Sequence, residues 1–299
     1  MAKPFIKWAG GKSQLIAQID KRLPHYITEG KPYVYVEPFT GSAAVALHLL
    51  DSAHPPSAVI INDINHDLIN LYQVVKFHPN ELLAYLRVFQ AEYDQLQDKA
   101  AKQPYYYAKR DAFNSRQTAF VEQAALFIFL NRAGFNGLYR VNSKNQFNVP
   151  IGSYKQPNFV FEEVILNASQ VLKNVNLYSG NYEETLLHLQ AINCDNLPVF
   201  FYLDPPYKPL SESSSFTAYA KNSFNDDDQR ALKSFCDTLH QQGYQWLLSN
   251  SDTTNLDSQN RFFDDLYMDY DIERVKASRS INSKGTKRGQ VSELMIRNY

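Results

Sequence analysis

The stretch 33–63 constrains the fold of this 299-residue chain more than any other. It contains, in order, an apolar strand, a glycine turn, a helix-like run and a second apolar strand: 33–36, 37–41, 43–50 and 58–61. This order is the layout of a nucleotide-binding βαβ unit in an α/β fold. Gly41 lets the backbone approach a ligand, and the start of the helix directs its N–H groups towards that ligand. Asp63, about twenty residues beyond Gly41, is spaced to accept hydrogen bonds from ribose hydroxyls.

The segment from Ile64 to about Phe129 changes to a helical pattern. Its apolar residues recur at three- and four-residue spacing, as at Leu82, Leu83, Leu86 and Phe89. No strand pattern interrupts it, and sheet-like alternation resumes near Val175. The sequence therefore predicts one α/β domain, 1–66 with 160–299, that carries a mainly helical insertion at 67–159.

A third strand precedes the most informative tetrapeptide, Asp204-Pro205-Pro206-Tyr207. The apolar run 199–203 is typical of a buried strand, and ligands of α/β sheets bind at the carboxyl ends of such strands. Because the prolines stiffen the turn, the Asp204 carboxylate and a peptide carbonyl present two acceptors side by side. These acceptors fit the two hydrogens of an exocyclic amine, and Tyr207 adds a face for stacking. The pattern predicts a pocket for an aminated base; the alternative is an ordinary aspartate cap before a proline turn.

Charge is distributed unevenly, although the net charge is only −1. The ranges 123–161 and 274–292 contain no acidic residue. Their basic residues are Arg132, Arg140, Lys144, Lys155, Arg274, Lys276, Arg279, Lys284, Lys287 and Arg288. Two such segments predict a positive face for phosphates on an otherwise acidic body, while each alone is also compatible with a solvated loop.

Several other classes of protein are disfavoured. No apolar run approaches membrane-spanning length, and the amino terminus lacks the apolar core of a signal peptide. The two cysteines, Cys194 and Cys236, form neither a disulfide framework nor a metal cluster. Gly11-Lys12-Ser13 suggests a phosphate-binding loop, but Ile6 stands where that motif needs glycine. We expect a cytoplasmic enzyme without a structural metal.

Taken together, the motifs resemble those of the Dam-type DNA adenine N6-methyltransferases of the alpha class. Within that family the chain is most similar to GATC-specific members of restriction–modification systems. The matching segments are Lys-Trp-Ala-Gly-Gly-Lys (7–12), Glu-Pro-Phe-x-Gly (37–41), Ile-Asn-Asp (61–63), Leu-Asn-Arg-x-x-Phe-Asn-Gly-Leu-Tyr-Arg (130–140), Asn-Gln-Phe-Asn-Val-Pro (145–150), Asp-Pro-Pro-Tyr (204–207), Ser-Phe-Thr-x-Tyr (215–219) and Leu-Ser-Asn-Ser (248–251). The resemblance implies a Rossmann-like sheet that binds S-adenosylmethionine, with the insertion acting as the target-recognition domain.

The resemblance also implies roles for individual residues. Contacts to S-adenosylmethionine are expected from Trp8, Lys12, Phe39, Gly41, Asp63 and Asp204. Asp204 and the Pro205 carbonyl are expected to hold the adenine N6 amino group, and Tyr207 to stack on the base. DNA contacts are expected from Lys7, Phe135, Asn136, Leu138, Arg140 and Pro150, with Arg140 paired to a guanine and Phe135 filling the gap beside a flipped adenine.

Direct methyl transfer is the mechanism that these residues favour. Two acceptors that grip both N–H bonds of N6 favour a pyramidal nitrogen with its lone pair directed at the methyl group. A C5-cytosine methyltransferase would need a nucleophilic cysteine, usually after proline, and neither cysteine follows one. N4-cytosine enzymes usually carry serine in place of Asp204, and RNA-directed enzymes commonly carry asparagine. A DNA-binding module without turnover is disfavoured by the intact Asp204, Asp63, Trp8 and Lys12.

Three positions depart from the family pattern: Ala43 replaces a second glycine of the cofactor turn, Ser153 replaces an arginine of several GATC enzymes, and Asn181 replaces a frequent acid. We therefore keep open the same chemistry at another site and a methyltransferase without a restriction partner. The expected partners are double-stranded DNA containing GATC and, functionally, a cognate restriction endonuclease. We expect a monomer that does not bind membranes.

Overall fold

A computed structural model describes residues 2–192, 196–207, 224–255, 257–278 and 290–299. The strands are β1 (Val34–Glu37), β2 (Ala58–Asp63), β3 (Val175–Ser179), β4 (Val199–Leu203), β5 (Gln245–Ser251), β6 (Asp271–Ser278) and β7 (Gln290–Arg297). The helices are α1 (Ile16–Asp20), α2 (His25–Thr28), α3 (Ala44–Leu50), α4 (His66–Phe77), α5 (Pro79–Asp94), α6 (Lys99–Ser115), α7 (Phe120–Ala133), α8 (Glu162–Leu172), α9 (Thr185–Ala191), α10 (Asp226–Gln241) and α11 (Phe262–Leu266).

The strands of the described residues form one seven-stranded sheet in the order β3-β2-β1-β4-β5-β7-β6. The first five strands along the chain pair with one another in parallel, and β7 lies antiparallel between β5 and β6. The chain order reverses at β1, which pairs with β2 on one side and β4 on the other. The α/β fold predicted from the sequence is confirmed, and such a reversal is where open sheets bind ligands.

Both faces of the sheet are covered, as expected when parallel strands are buried. In β4, Phe200 and Tyr202 belong to one apolar cluster, whereas Val199, Phe201 and Leu203 belong to the cluster on the other face. This alternation follows from the two-residue period of a strand. Strand β4 is therefore packed on both faces, and the Asp-Pro-Pro-Tyr segment begins directly after its carboxyl end.

The inserted region is helical through α5, α6 and α7, in agreement with the predicted periodicity. Helix α7 is buried along nearly its whole length, and Phe129 lies 4.9 Å from Phe159 and 5.9 Å from Tyr93, measured between ring centroids. These rings share one apolar cluster with the sheet residues Tyr35 and Val59. Since α4 also packs on β3 and α8, the domain boundary at residue 67 stays a prediction.

The helix that follows the glycine turn after β1 starts one residue later than predicted. Helix α3 begins at Ala44, and Ala43 precedes it in the left-handed region, at φ 53° and ψ 30°. Glycine adopts this region without steric cost, whereas alanine places its Cβ against the backbone there. The departure noted at Ala43 therefore falls on a backbone position that glycine would suit better.

Candidate active site

Three strand ends meet at the carboxyl edge of the sheet and supply the candidate site. The turn 37–41 follows β1, Asp63 ends β2, and Asp204 follows β4 directly. Because β1 lies between β2 and β4, the structure brings these segments to neighbouring positions at the point of reversal. The site residues predicted from separate motifs thus share one edge of one sheet.

Asp63 fixes the backbone of the cofactor turn. One carboxylate oxygen accepts a hydrogen bond from the Gly41 N–H at 2.9 Å, and the other accepts from the Asn65 N–H at 2.9 Å. Burial raises the pKa of Asp63, and these two bonds oppose that effect because they favour the charged form. The carboxylate therefore links the turn after β1 to the start of α4, and its oxygens keep acceptor capacity beyond one bond each.

The close contact between the backbone at position 41 and Trp8 requires glycine there. It has φ +49°, and a Cβ at this position would lie 2.9 Å from the Trp8 ring. Its carbonyl accepts from the Tyr72 hydroxyl at 2.7 Å. The Trp8 ring also stacks on Tyr139, at 5.6 Å between centroids and 29° between planes. A larger residue at 41 would displace the tryptophan.

The surroundings of Asp63 suit an adenosyl group. The next residue, Ile64, is 70% exposed, which is unusual for a large apolar side chain beside a buried carboxylate. Phe39 is half-buried against Tyr182, with 5.1 Å between ring centroids. A carboxylate acceptor for a diol and apolar surfaces for a base are thus both present, so the residues fit S-adenosylmethionine.

Asp204 forms an internal ion pair with Lys12. The Lys12 ammonium lies 2.7 Å from Oδ1 of Asp204 and also donates to the Gly10 carbonyl at 2.6 Å. Lys12 is 5% exposed and Asp204 19%, so both charges are largely removed from water. Burial raises the pKa of Asp204 to about 6, although the nearby ammonium acts in the opposite direction. The carboxylate is therefore mostly ionised at neutral pH and remains an acceptor.

Tyr207 is held at its ring and at its hydroxyl. The Lys12 ammonium lies 4.6 Å from the ring centroid, and the hydroxyl donates to Oε2 of Glu293 at 2.7 Å. Between Asp204 and Tyr207, Pro205 is buried, and the Pro206 carbonyl accepts from Gln229 at 3.3 Å. The sequence did not indicate either the Lys12–Asp204 pair or the Glu293 contact.

A second buried acid lies beneath this edge. Glu37, at the end of β1, accepts a hydrogen bond from the Tyr35 hydroxyl at 2.6 Å and is almost completely buried. Burial raises the pKa of Glu37 to about 8, against the lowering effect of that bond. Glu37 is thus a buried group whose ionisation folding opposes.

The predicted DNA-contacting residues cluster on the segment after α7. Asn131, buried within that helix, accepts from the Lys7 N–H at 2.9 Å and donates to the carbonyls of Lys7 and Gly137, both at 2.8 Å. Asn131 thereby ties the amino-terminal segment to the recognition turn. The sequence offered one signal for it: an amide directly after the apolar run 124–130 of the helix.

Phe135 and Pro150 lie next to each other, because the Phe135 N–H donates to the Pro150 carbonyl at 2.9 Å. Phe135 is 49% exposed although it is a large aromatic residue. Asn136 follows in the left-handed region at φ 54°, which asparagine tolerates better than most residues. The turn thus presents an aromatic ring and an amide outward, as the predicted roles need.

Arg140 is oriented by Asn148. Its Nε donates to Oδ1 of Asn148 at 2.7 Å, and the Asn148 N–H donates back to the Arg140 carbonyl at 3.0 Å. The preceding Tyr139 turns inward instead, and its hydroxyl donates to Asp67 at 2.9 Å. Leu138, on the other side of Tyr139 in sequence, is half-buried and packs against the apolar cluster.

The charge prediction needs a correction at Arg132. Its guanidinium donates to the Phe5 carbonyl at 3.0 Å and lies 4.2 Å from the centroid of the Phe161 ring. Burial lowers the pKa of Arg132. This arginine is therefore packed into the structure, and it does not extend a solvated positive face. Arg279, Lys284, Lys287 and Arg288, the segment 215–219 and Cys194 lie outside the described residues.

Within the described ranges, no helix combines the length and apolar character that a membrane crossing needs. Among the same residues, no group of His, Cys, Asp and Glu is arranged to hold a metal ion.

Comparison with known proteins identifies the family. Residues 8–281 match the model of the D12 class N6 adenine-specific DNA methyltransferases. The chain is 44% identical over 300 residues to the type II methyltransferase M.MjaIII of Methanocaldococcus jannaschii, covering 99% of each protein. It is 37% identical to a DNA adenine methylase of Haemophilus influenzae (98% of this chain, 92% of the relative) and 35% identical to one of Escherichia coli K12 (98% and 94%). The chain belongs to the D12 class of N6 adenine-specific DNA methyltransferases.

Proposed function

We propose that this adenine-specific DNA methyltransferase uses S-adenosylmethionine to methylate N6 of adenine within GATC sites of duplex DNA. The observation that carries the proposal is the arrangement at the carboxyl edge of the sheet. Asp204 and Tyr207 follow β4, beside the turn that Asp63 holds through Gly41. Such an arrangement provides a base pocket next to a pocket for the methyl donor.

S-adenosylmethionine would lie against Trp8, Phe39, Gly41 and Asp63, and it supplies an electrophilic methyl group. Asp204 and the Pro205 carbonyl accept hydrogen bonds from the two hydrogens of N6, which orients the nitrogen lone pair. Methylation would replace the donor's S–C bond by a bond from N6 to the methyl carbon, and N6 would then release one proton. The Asp204 carboxylate is the acceptor placed to take that proton.

Lys12 has a defined place in this mechanism. In the protein alone its ammonium occupies Oδ1 of Asp204 and covers the Tyr207 ring. The ammonium keeps the buried carboxylate ionised before the base arrives, and the entering adenine takes over acceptor capacity and ring surface. The ion pair thus provides an electrostatic environment that suits an amine, and it does not need to persist during the reaction.

Sequence specificity is assigned to the outward residues after α7. Arg140 donates to Asn148 from its Nε at 2.7 Å and, at the longer distance of 3.5 Å, from one terminal nitrogen, and this orients the guanidinium that would bind a guanine edge. Lys7, Leu138 and Pro150 supply further base contacts, while Phe135 and Asn136 lie beside the gap that the flipped adenine leaves. The proposal takes 67–159 as the recognition domain, and 1–66 with 160–299 as the catalytic domain.

We assign the chain to the modification half of a restriction system. Two of the similar proteins, from Methanocaldococcus jannaschii and Lactococcus lactis, are named type II methyltransferases. The test of this role looks for a GATC-cleaving endonuclease encoded beside the gene and co-expresses it with this protein. Protection of GATC sites from cleavage is expected, and either the lack of such a gene or cleavage despite methylation would remove the role.

The test of the activity is the transfer of labelled methyl groups to a GATC duplex, a scrambled duplex and an RNA of the same sequence. N6-methyladenine only in the GATC duplex is the expected product. N6-methyladenine in both duplexes would overturn the specificity, and a product only in RNA would overturn the substrate. The Asp204→Ala protein serves as the inactive control for a contaminating methyltransferase.

A further inference from the structure

Glu293 reaches the candidate site from the antiparallel part of the sheet. It lies on β7, paired with Ser251 of β5 and with Val275 of β6. Its side chain accepts the hydrogen bond from Tyr207, which is 86 residues away in sequence. No sequence motif joined these two residues, and the contact depends on how β7 inserts between its two neighbours.

The contact fixes the Tyr207 ring at a second point. Lys12 lies over the face of the ring, and Glu293 holds the hydroxyl at 2.7 Å. A phenol held only at its ring can rotate about its side-chain bonds, whereas a bond from the hydroxyl to a carboxylate is short and strong. Because the entering adenine takes over the ring surface from Lys12, the bond to Glu293 is the contact that remains to limit rotation of the ring next to Asp204.

Glu293 also contributes to the charge balance of the site. Its negative charge is one of the influences that raise the pKa of Asp204, after burial and against the Lys12 ammonium. The other charged or titratable groups that face Asp204 are Tyr202 from β4, Tyr207 itself and Glu37 from β1. The Lys12 ammonium pairs with Asp204, and the Glu293 carboxylate accepts from the Tyr207 hydroxyl.

We propose that Glu293 is a positioning residue for methyl transfer, which holds the Tyr207 hydroxyl so that the ring stacks on the target adenine in the orientation that N6 attack needs. The proposal rests on the proposed function, because it takes Asp204 and Tyr207 as the adenine pocket. Glu293 does not touch the reacting atoms, and it acts through the tyrosine.

The test is a double-mutant cycle in the full-length protein on GATC duplexes. The variants are Tyr207→Phe, Glu293→Ala and their combination, and the readout is the single-turnover rate of methyl transfer at saturating DNA. Each single variant is expected to lower that rate by roughly 10- to 100-fold, as for a lost hydrogen bond to a charged group. The combination is expected to be no slower than either single variant, because both remove the same contact. Additive losses would overturn the proposal.

Glu293→Gln separates the contact from a general role in stability. The amide oxygen still accepts from the Tyr207 hydroxyl, so we expect partial rescue of the rate relative to Glu293→Ala. Because the substitution removes a negative charge near Asp204, the acid limb of the kcat/KM profile is expected to move to lower pH. Glu273→Gln is the matched control, since Glu273 lies on the neighbouring strand β6 and pairs with Arg22. An acid limb that moves equally in both variants, or in neither, would overturn the proposal.

Two further readouts keep the test decisive. Fluorescence of 2-aminopurine at the target position reports stacking on the ring, and we expect it to change in Tyr207→Phe and Glu293→Ala alike. Should Glu293→Ala fail to fold, Tyr207→Phe against Glu293→Gln still tests the contact, and a full rate in Tyr207→Phe would overturn it. If the unaltered protein does not methylate DNA, the proposed function itself is refuted.

Discussion

The strand-end site and the recognition segment use charge in different ways. At the strand ends, charged groups bond to one another or to the backbone: Lys12 pairs with Asp204, and both oxygens of Asp63 accept backbone N–H groups. Phe135 of the recognition segment after α7 and Lys7 beside that segment are exposed, and buried Asn131 anchors the backbone of Lys7 and Gly137. The difference indicates that chemistry depends on preset electrostatics away from water, whereas base recognition depends on groups held ready at the surface.

One short segment serves both regions. Lys7 contacts the recognition turn through Asn131, Trp8 packs on Gly41, and Lys12 pairs with Asp204. The same segment thus holds both regions in place, although their chemistry differs. Substitutions within each region should therefore separate catalysis from recognition.

The largest effect is expected for Asp204→Ala. Loss of the carboxylate removes the main acceptor for N6 and leaves the Lys12 ammonium unpaired at the site, so we expect methyl transfer to fall by on the order of 10³-fold or more. Duplex binding, measured by fluorescence anisotropy, should stay within a few-fold, because the recognition segment is unchanged. Turnover that persists in this variant would break the distinction between the two regions.

Glu37→Gln tests whether ionisation of this buried carboxyl at the end of β1 lowers the stability of the folded protein. The pKa of Glu37 is about 8 in the folded protein, above the ordinary value of 4.5. Between these values the folded state binds the additional proton, so the free energy of unfolding falls as pH rises from about 4.5 to 8. Glutamine imitates the protonated acid, so we expect it to stabilise the protein at pH 8 by on the order of 3 kcal/mol.

The measurement for Glu37 is urea unfolding at pH 5 and at pH 8. The unaltered protein should lose stability over this interval, and Glu37→Gln should lose less. Exposed Glu163→Gln is the matched control, for which no such difference is expected. Equal pH slopes in all three proteins would contradict the assignment of a buried, proton-binding carboxyl.

On the recognition side, Arg140→Ala should change specificity more than rate. Loss of a bidentate guanine contact costs roughly 1–3 kcal/mol of discrimination at one base pair. The measurement is kcat/KM on GATC and on duplexes with each single substitution. Lys144→Ala, an exposed lysine nearby, should weaken all duplexes alike. An unchanged preference in Arg140→Ala would remove Arg140 from the specificity residues.

The parts of the fold that follow local periodicity could be predicted from the sequence. Strands β1 and β2 and the glycine turn have patterns that span a few neighbouring residues, and each was found within one or two residues of its predicted position. The helical pattern predicted from Ile64 to about Phe129 was also found, although its last helix extends to Ala133. Ala43 is an instructive exception. Its residue type favours helix, but the turn requires a left-handed residue there.

The contacts that the sequence did not reveal join distant parts of the chain. Lys12 was expected to contact the cofactor and lies on Asp204, while Tyr207 bonds to Glu293. Arg132, counted with the basic residues of its segment, packs on Phe161. Tertiary packing sets these pairings, and the residue types alone allow many partners.

The smallest effect is expected where the two regions meet, at Tyr139. Its ring stacks on Trp8 in the strand-end site, its hydroxyl donates to Asp67, and its neighbours in sequence are Leu138 and Arg140. Tyr139→Phe keeps the stack and removes one hydrogen bond, so we expect ligand binding to weaken by about 1 kcal/mol. If the bond couples the regions, the variant weakens both S-adenosylmethionine and duplex binding in calorimetric titrations. Tyr106→Phe is the matched control, because its hydroxyl donates to Val149 within the recognition region at 3.0 Å. This control should weaken duplex binding alone, and identical behaviour of the two variants would mean that the regions bind their ligands independently.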